Sequence, residues 1–141
     1  MVKVIDMQEM RYLNLFGKVT QVSTRFCFKY NGAIIFCVPK KAVSKAIGEN
    51  GKNIKRISEI IGKRVKVIPI PVEEEEVEKT KKLIEDIVSP VKFKDLGFNE
   101  DEIILTAGSQ NKAVLIGRNK QRLHELQKIS QDYFGKQLRI V

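Results

Sequence analysis

Ile47-Gly48-Glu49-Asn50-Gly51-Lys52-Asn53-Ile54 is the octet from which the rest of the chain can be read. Helix-forming sequence flanks it, Lys41 to Ala46 before and Asn53 to Ile61 after. Two glycines three apart let a backbone turn sharply without a Cβ clash. The spacing predicts that the amides of Asn50, Gly51 and Lys52 project from the start of the second helix. A helix start with open N–H groups and a positive dipole favours an anion. Lys45, Lys52, Lys55 and Arg56 surround the turn, so the expected anion is a phosphate.

A nucleotide-binding P-loop needs Gly, four residues, then Gly-Lys-Ser/Thr, entered from a strand. Here Ala46 stands five before Gly51, Asn53 replaces the metal-binding hydroxyl, and a helix leads in, so that motif is excluded. The remaining reading resembles a KH-type clamp, whose GxxG loop grips the backbone of a few nucleotides. A glycine pair alone fits a plain corner between helices equally well. Its context raises it: helix on both sides, clustered bases, and a second copy later in the chain.

The second copy appears when the chain is slid on itself by 69 residues. Ile34-Ile35 then falls on Ile103-Ile104, Ile47-Gly48 on Ile116-Gly117, Asn50 on Asn119, and Ile54 and Ile57 on Leu123 and Leu126. Beyond that the register shifts by four, about one helical turn. Gly62-Lys63 falls on Gly135-Lys136, and Val65 and Val67 on Leu138 and Ile140. A repeat of this length implies two copies of one small domain. The expected division is 1–72 and 73–141.

With 141 residues and a net charge of +9, the chain has the composition of a soluble globular protein. No apolar run approaches a membrane span, and no signal-like apolar stretch opens the chain. The expectation is a cytoplasmic monomer without membrane association. Residues 1–70 carry 14 Lys/Arg against 4 Asp/Glu, and residues 71–141 carry 12 against 13. The basic half suits a polyanion. Cys27 and Cys37 match no zinc spacing and read as half-buried thiols on two arms of a hairpin. A two-residue turn would set Cys27 opposite Phe36; a three-residue loop would set it opposite Cys37. Neither a metal site nor a catalytic constellation is visible, so no enzyme activity and no cofactor are expected.

Taken in order, Asp6 to Phe16 reads as a helix capped by Asp6 with Glu9, with Met10, Leu13 and Phe16 as its buried stripe and Gly17 as its stop. Arg25–Tyr30 and Ala33–Val38 read as a hairpin around Asn31-Gly32. Phe26, Phe28 and Tyr30 are read as core beneath the helices, in preference to a base-stacking platform. Arg64–Ile70 alternates as a strand, and Pro69-Ile70-Pro71 ends the first domain. Glu73 opens a helix to about Ile87, where carboxylates suit the dipole. Val91–Phe98 and Glu102–Ala107 form the second hairpin, and Gln110–Leu115 the short helix. In the turn that follows, Gly117-Arg118-Asn119-Lys120, a lysine replaces the last glycine. A negative φ at Lys120 would leave the turn intact, and a positive one would strain it. His124 reads as solvated on the polar side of its helix.

Both halves share the order helix, strand, strand, helix, GxxG, helix, strand. Strands ahead of the paired helices mark the type II arrangement of the KH superfamily. The chain resembles the archaeal NusA-like transcription termination/antitermination family, which consists of little more than tandem KH modules. Leu15-Phe16, the run Ala46 to Arg56, and Leu115-Ile116-Gly117-Arg118-Asn119 carry the resemblance. It implies an α+β fold of two type II KH domains, each a small three-stranded mixed sheet covered by helices. It also implies a single-stranded RNA binder acting in termination or antitermination; RNA polymerase is a further candidate partner. By position, Gly48, Glu49, Asn50 and Gly51 would hold the RNA backbone. Lys45, Lys52, Asn53, Lys55 and Arg56 would surround the phosphates, and Ile47 and Ile54 would line a groove for bases. Gly117, Arg118, Asn119, Lys120 and Arg122 would make weaker contacts. Glu49 and Lys120 depart from the motif: an acid stands where such loops carry a base, and a lysine where they carry glycine. Two other readings stand beside this one. One is a protein-interaction module docking on RNA polymerase or the ribosome. The other is a KH protein of ribosome assembly or RNA decay.

Overall fold

The structure is a computed structural model that describes residues 6–141; the first five positions of the expected first domain lie outside the described residues. The chain divides into two compact units between Ile70 and Pro71. The first contains α1 (Met7–Thr20), β1 (Phe26–Tyr30), β2 (Ala33–Val38), α2 (Val43–Ile47), α3 (Lys52–Ile61) and β3 (Arg64–Pro69). The second contains α4 (Glu76–Val88), β4 (Asp95–Asn99), β5 (Glu102–Thr106), α5 (Ser109–Ile116), α6 (Gln121–Ile129) and β6 (Gln137–Ile140). The fold is therefore α+β, with two three-stranded mixed sheets, each packed against helices. In each sheet the middle strand pairs antiparallel with the first and parallel with the last.

Local chemistry sets these elements. Asp6 caps α1, its carboxylate accepting from the Glu9 amide at 2.8 Å. The helix does not stop at Phe16-Gly17 but runs on to Thr20. A mid-helix glycine costs roughly 0.5–1 kcal/mol, and buried Phe16 and Thr20 hold the added turn on one face. The Thr20 hydroxyl donates to the Phe16 carbonyl at 2.7 Å, and Gln21 at φ 62° ends the helix. Met10, expected in the buried stripe, is 52% exposed; Leu13 and Phe16 face the core instead. Asn31 and Gly32 both have positive φ, the signature of a two-residue I′ turn. That turn sets Cys27 opposite Phe36.

The pairing shows which side of the sheet the helices cover. Cys27, Ile34, Phe36 and Val38 share a face and form one cluster with Phe16, Ala46 and Ile57 of the helices. Phe28 and Tyr30 are buried, as a core role requires, yet they alternate onto the opposite face and do not lie beneath these helices. Cys27 and Cys37 are fully buried, not half-buried, and sit on opposite faces, so they form no disulfide.

The repeat holds at the level of hydrogen-bond register. Phe28 pairs Ile35 as Gly97 pairs Ile104, both displaced by 69. Ile34 pairs Val65 as Ile103 pairs Leu138, displaced by 69 and 73. The four extra residues lengthen the helix after the second turn, which ends in a π-helical turn, Ser130–Phe134, before Gly135. Gly62 and Gly135 end the two helices in the same left-handed conformation.

Two boundaries in the second unit differ from expectation. α4 starts at Glu76, so Glu73, Glu74 and Glu75 precede it, while Glu76 and Glu78 occupy its first turn. β4 starts at Asp95: the Lys94 amide still donates to the Thr106 carbonyl at 2.8 Å, but before it the Lys92 carbonyl accepts from Asn111 Nδ2 at 2.8 Å. Lys81 Nζ lies 3.4 Å from Asp95 Oδ1 and ties α4 to that strand. The Leu96 amide and then Lys81 hold the Asp95 carboxyl below its ordinary value.

Candidate nucleic-acid interface

The first turn is built from backbone conformations that side-chain-bearing residues avoid. α2 ends as the Gly48 amide donates to the Ser44 carbonyl at 3.0 Å. Gly48 then takes φ 81°, ψ 166°, a region open essentially to glycine alone. Asn50 (φ 56°, ψ 26°) and Gly51 (φ 72°, ψ 18°) follow, both left-handed. Asn tolerates that region better than most residues. The Gly51 amide donates to the Gly48 carbonyl at 3.0 Å, and the Lys52 amide to the Glu49 carbonyl. Two of the three amides expected to project are therefore spent inside the turn. Among the described residues, its backbone hydrogen bonds leave out the amides of Glu49 and Asn50.

Side chains around the turn sort by helical spacing. Lys52, Lys55 and Arg56 are exposed at i, i+3 and i+4 on one face of α3, and Lys45 is exposed on the last turn of α2. Ile57 on the other face is buried in the core, while Ile47 and Ile54 are half-buried beside the turn. Glu49 is exposed at the turn itself. The Asn53 side chain turns back on the loop: its Nδ2 donates to the Lys45 carbonyl at 3.2 Å.

The second turn repeats this backbone. Gly117 has φ 77°, ψ 174°; Asn119 has φ 56°, ψ 28°; Lys120 has φ 60°, ψ 23°. The Lys120 amide donates to the Gly117 carbonyl at 3.2 Å, as Gly51 does to Gly48. Lys120 thus takes the positive φ that the sequence left open. The two glycine positions differ in what a side chain would meet. A Cβ on Gly48 would lie 2.9 Å from the Asn53 side chain, and one on Gly117 2.9 Å from that of Arg122. A Cβ on Gly51 would meet nothing within 4 Å. The first glycine is fixed by both sterics and φ, the last by φ alone, and only the last has been replaced. Lys120→Gly should therefore stabilise the second unit by about 0.5–1 kcal/mol, the left-handed penalty less the extra freedom of an unfolded glycine. Urea denaturation checks this, and a loss of stability would overturn the strain argument.

Charge is distributed differently around the two turns. Arg118 and Lys120 occupy the places of Glu49 and Gly51, whereas Gln121, His124 and Glu125 replace Lys52, Lys55 and Arg56. The first turn carries an acid, with its cations on the flanking helices; the second carries cations in the turn itself. Arg118, Asn119 and Lys120 are exposed, while Arg122 is half-buried, with its Nη1 donating to the Val114 carbonyl at 3.2 Å. His124 is exposed.

Among the described residues, no group of three or more His, Cys, Asp or Glu is placed to hold a metal ion. No described helix is long and apolar enough to cross a membrane. No family model matches the chain, and no curated protein matches it. Among solved structures, the crystal structure of APE1850 superposes with a TM-score of 0.69 at 21% identity, covering 97% of this chain and 100% of that one. At that identity the likeness is one of fold.

Proposed function

We propose that the chain is a pair of type II KH modules that binds single-stranded RNA in transcription termination or antitermination, with no catalytic step of its own. The carrying observation is the repeated turn: two segments with different side chains hold one glycine-dependent backbone between paired helices, each with cations beside it. A corner that only reversed the chain has no need of cations at both copies. Phosphates would sit at the open amides of Glu49 and Asn50, with Lys45, Lys52, Lys55 and Arg56 neutralising them. Bases would lie toward Ile47 and Ile54. Such binding draws its strength from phosphate contacts and weakens with salt.

Gly51→Asp is the test. The left-handed φ at Gly51 is one that Asp tolerates better than most residues, and no atom obstructs its Cβ. The variant should fold, at a cost of about 1–2 kcal/mol. Its carboxylate would stand where phosphate is to sit. In fluorescence anisotropy with a labelled single-stranded RNA, affinity should fall more than tenfold at low salt. The salt slope should shrink by about 0.7 for each phosphate that the variant no longer neutralises. Unchanged affinity in a folded variant would overturn the clamp. Polymerase capture that persists after RNase treatment and in this variant would favour the protein-docking reading, which the near-neutral second half supports.

A further inference from the structure

We infer that the residue two places after the turn, Asn53 in the first unit and Arg122 in the second, is a positioning residue that buckles the clamp. It is not an RNA contact. The inference rests on the RNA-binding reading for its functional part, and on geometry for the rest. α2 ends with carbonyls that have no partner of their own in the helix, as every helix does. The Asn53 side chain folds back over Gly48 and donates Nδ2 to one of them, the Lys45 carbonyl, at 3.2 Å. The fold-back is why a Cβ on Gly48 would collide at 2.9 Å with Asn53 Cγ and Nδ2.

The second unit makes the same buckle from different chemistry. Arg122 stands 69 residues after Asn53, and Val114 stands 69 after Lys45. Arg122 Nη1 donates to the Val114 carbonyl at 3.2 Å, with Arg122 Cγ 2.9 Å from where a Gly117 Cβ would be. An amide and a guanidinium share little beyond an N–H that can reach that carbonyl. The position is thus defined by the bond it makes. The bond fastens the last turn of one helix to the first turn of the next across the four-residue loop. It thereby holds the amides of residues 49 and 50 in one arrangement before RNA arrives. A turn that samples other shapes binds more weakly in proportion to the fraction still competent.

Two substitutions, each with two readouts, test this. Asn53→Ala removes the donor, and Asn53→Arg installs the donor used by the second unit. Amide hydrogen exchange reads the buckle without RNA: the Gly51 amide, bonded to the Gly48 carbonyl, should exchange about fivefold faster in Asn53→Ala, equivalent to about 1 kcal/mol. It should return to the wild-type rate in Asn53→Arg. Unchanged exchange in Asn53→Ala overturns the buckle. The second readout is anisotropy with a fluorescein-labelled 12-nucleotide single-stranded RNA of mixed sequence, across a salt series. Asn53→Ala should bind about fivefold more weakly, and Asn53→Arg should recover the affinity with the wild-type salt slope, because its guanidinium is held by the carbonyl. Recovery with a slope steeper by about 0.7 would mean that residue 53 reaches phosphate, and would overturn the positioning role. Faster exchange with unaltered affinity would also overturn it. If the wild type binds no RNA, the functional reading falls, while exchange still decides whether the buckle exists.

Discussion

Phe36→Ala should remove most of the stability of the first unit. Phe36 lies on the central strand β2, fully buried, with its ring stacked on Phe16 at 4.3 Å between centroids and 17° between planes. Across the sheet it pairs with Cys27 on one side and Val67 on the other. Around it stand Ile34, Val38, Ala46 and Ile57, all in regular elements with little freedom to close a void. Phe→Ala at such a site costs about 3–5 kcal/mol. Whole domains have about 5–15 kcal/mol of stability, and small ones lie at the low end. In urea the transition of the first unit should move by about 1.5 M or more for a slope of about 1–2 kcal/mol/M. A loss under about 1 kcal/mol would show that the stack is not central to the core. Leu105→Ala, at the equivalent place in the second repeat and fully buried, serves as the matched control. It should shift the other transition and leave the first in place.

Features with a local cause were legible in the sequence. Asn31-Gly32 marked the hairpin in the sequence but left its loop length open; the two consecutive positive φ values close a two-residue loop, and that sets Cys27 opposite Phe36. The repeat offset of 69, then 73, mapped onto the sheets residue for residue, because register is pinned by which side chains a strand buries. Features set by tertiary choice were not legible. Alternation says that Phe28 and Tyr30 share a face, but not which face the helices take. Gly17 reads as a stop, yet the core at Phe16 and Thr20 outweighs one glycine. Val91–Lys94 reads as strand, but the Lys92 carbonyl is claimed by Asn111. At the candidate site, the sequence located the turn and its cations. The buckle depends on a side chain folding back onto a carbonyl eight residues earlier, which no spacing rule encodes. The one signal was comparative: Asn53 and Arg122, equivalent in the repeat, are both long enough to donate.

Gly48→Ala should cost far more than Gly51→Ala, although both remove a glycine from the same turn. At Gly51 the cost is the left-handed conformation alone, about 1–2 kcal/mol, and the second unit already bears it at Lys120. At Gly48 the conformation, φ 81° with ψ 166°, is one that residues with a Cβ hardly enter. The methyl would also lie 3.1 Å from the backbone nitrogen of Asn53, which cannot swing aside as a side-chain terminus can. Relief requires moving the start of α3 or flipping the Gly48 peptide. The first pulls on Ile57 in the core, and the second breaks the bond from the Gly51 amide to the Gly48 carbonyl. A loss of about 3 kcal/mol is expected, the upper end for a strained backbone position. Gly117→Ala should behave alike, since its Cβ would lie 3.1 Å from the Arg122 nitrogen. Chemical denaturation of the four single variants, with Lys120→Ala as the fourth, would rank them. Equal costs at positions 48 and 51 would mean that the turn relaxes around its first glycine. The close approach of residue 53 would then not be what fixes its shape.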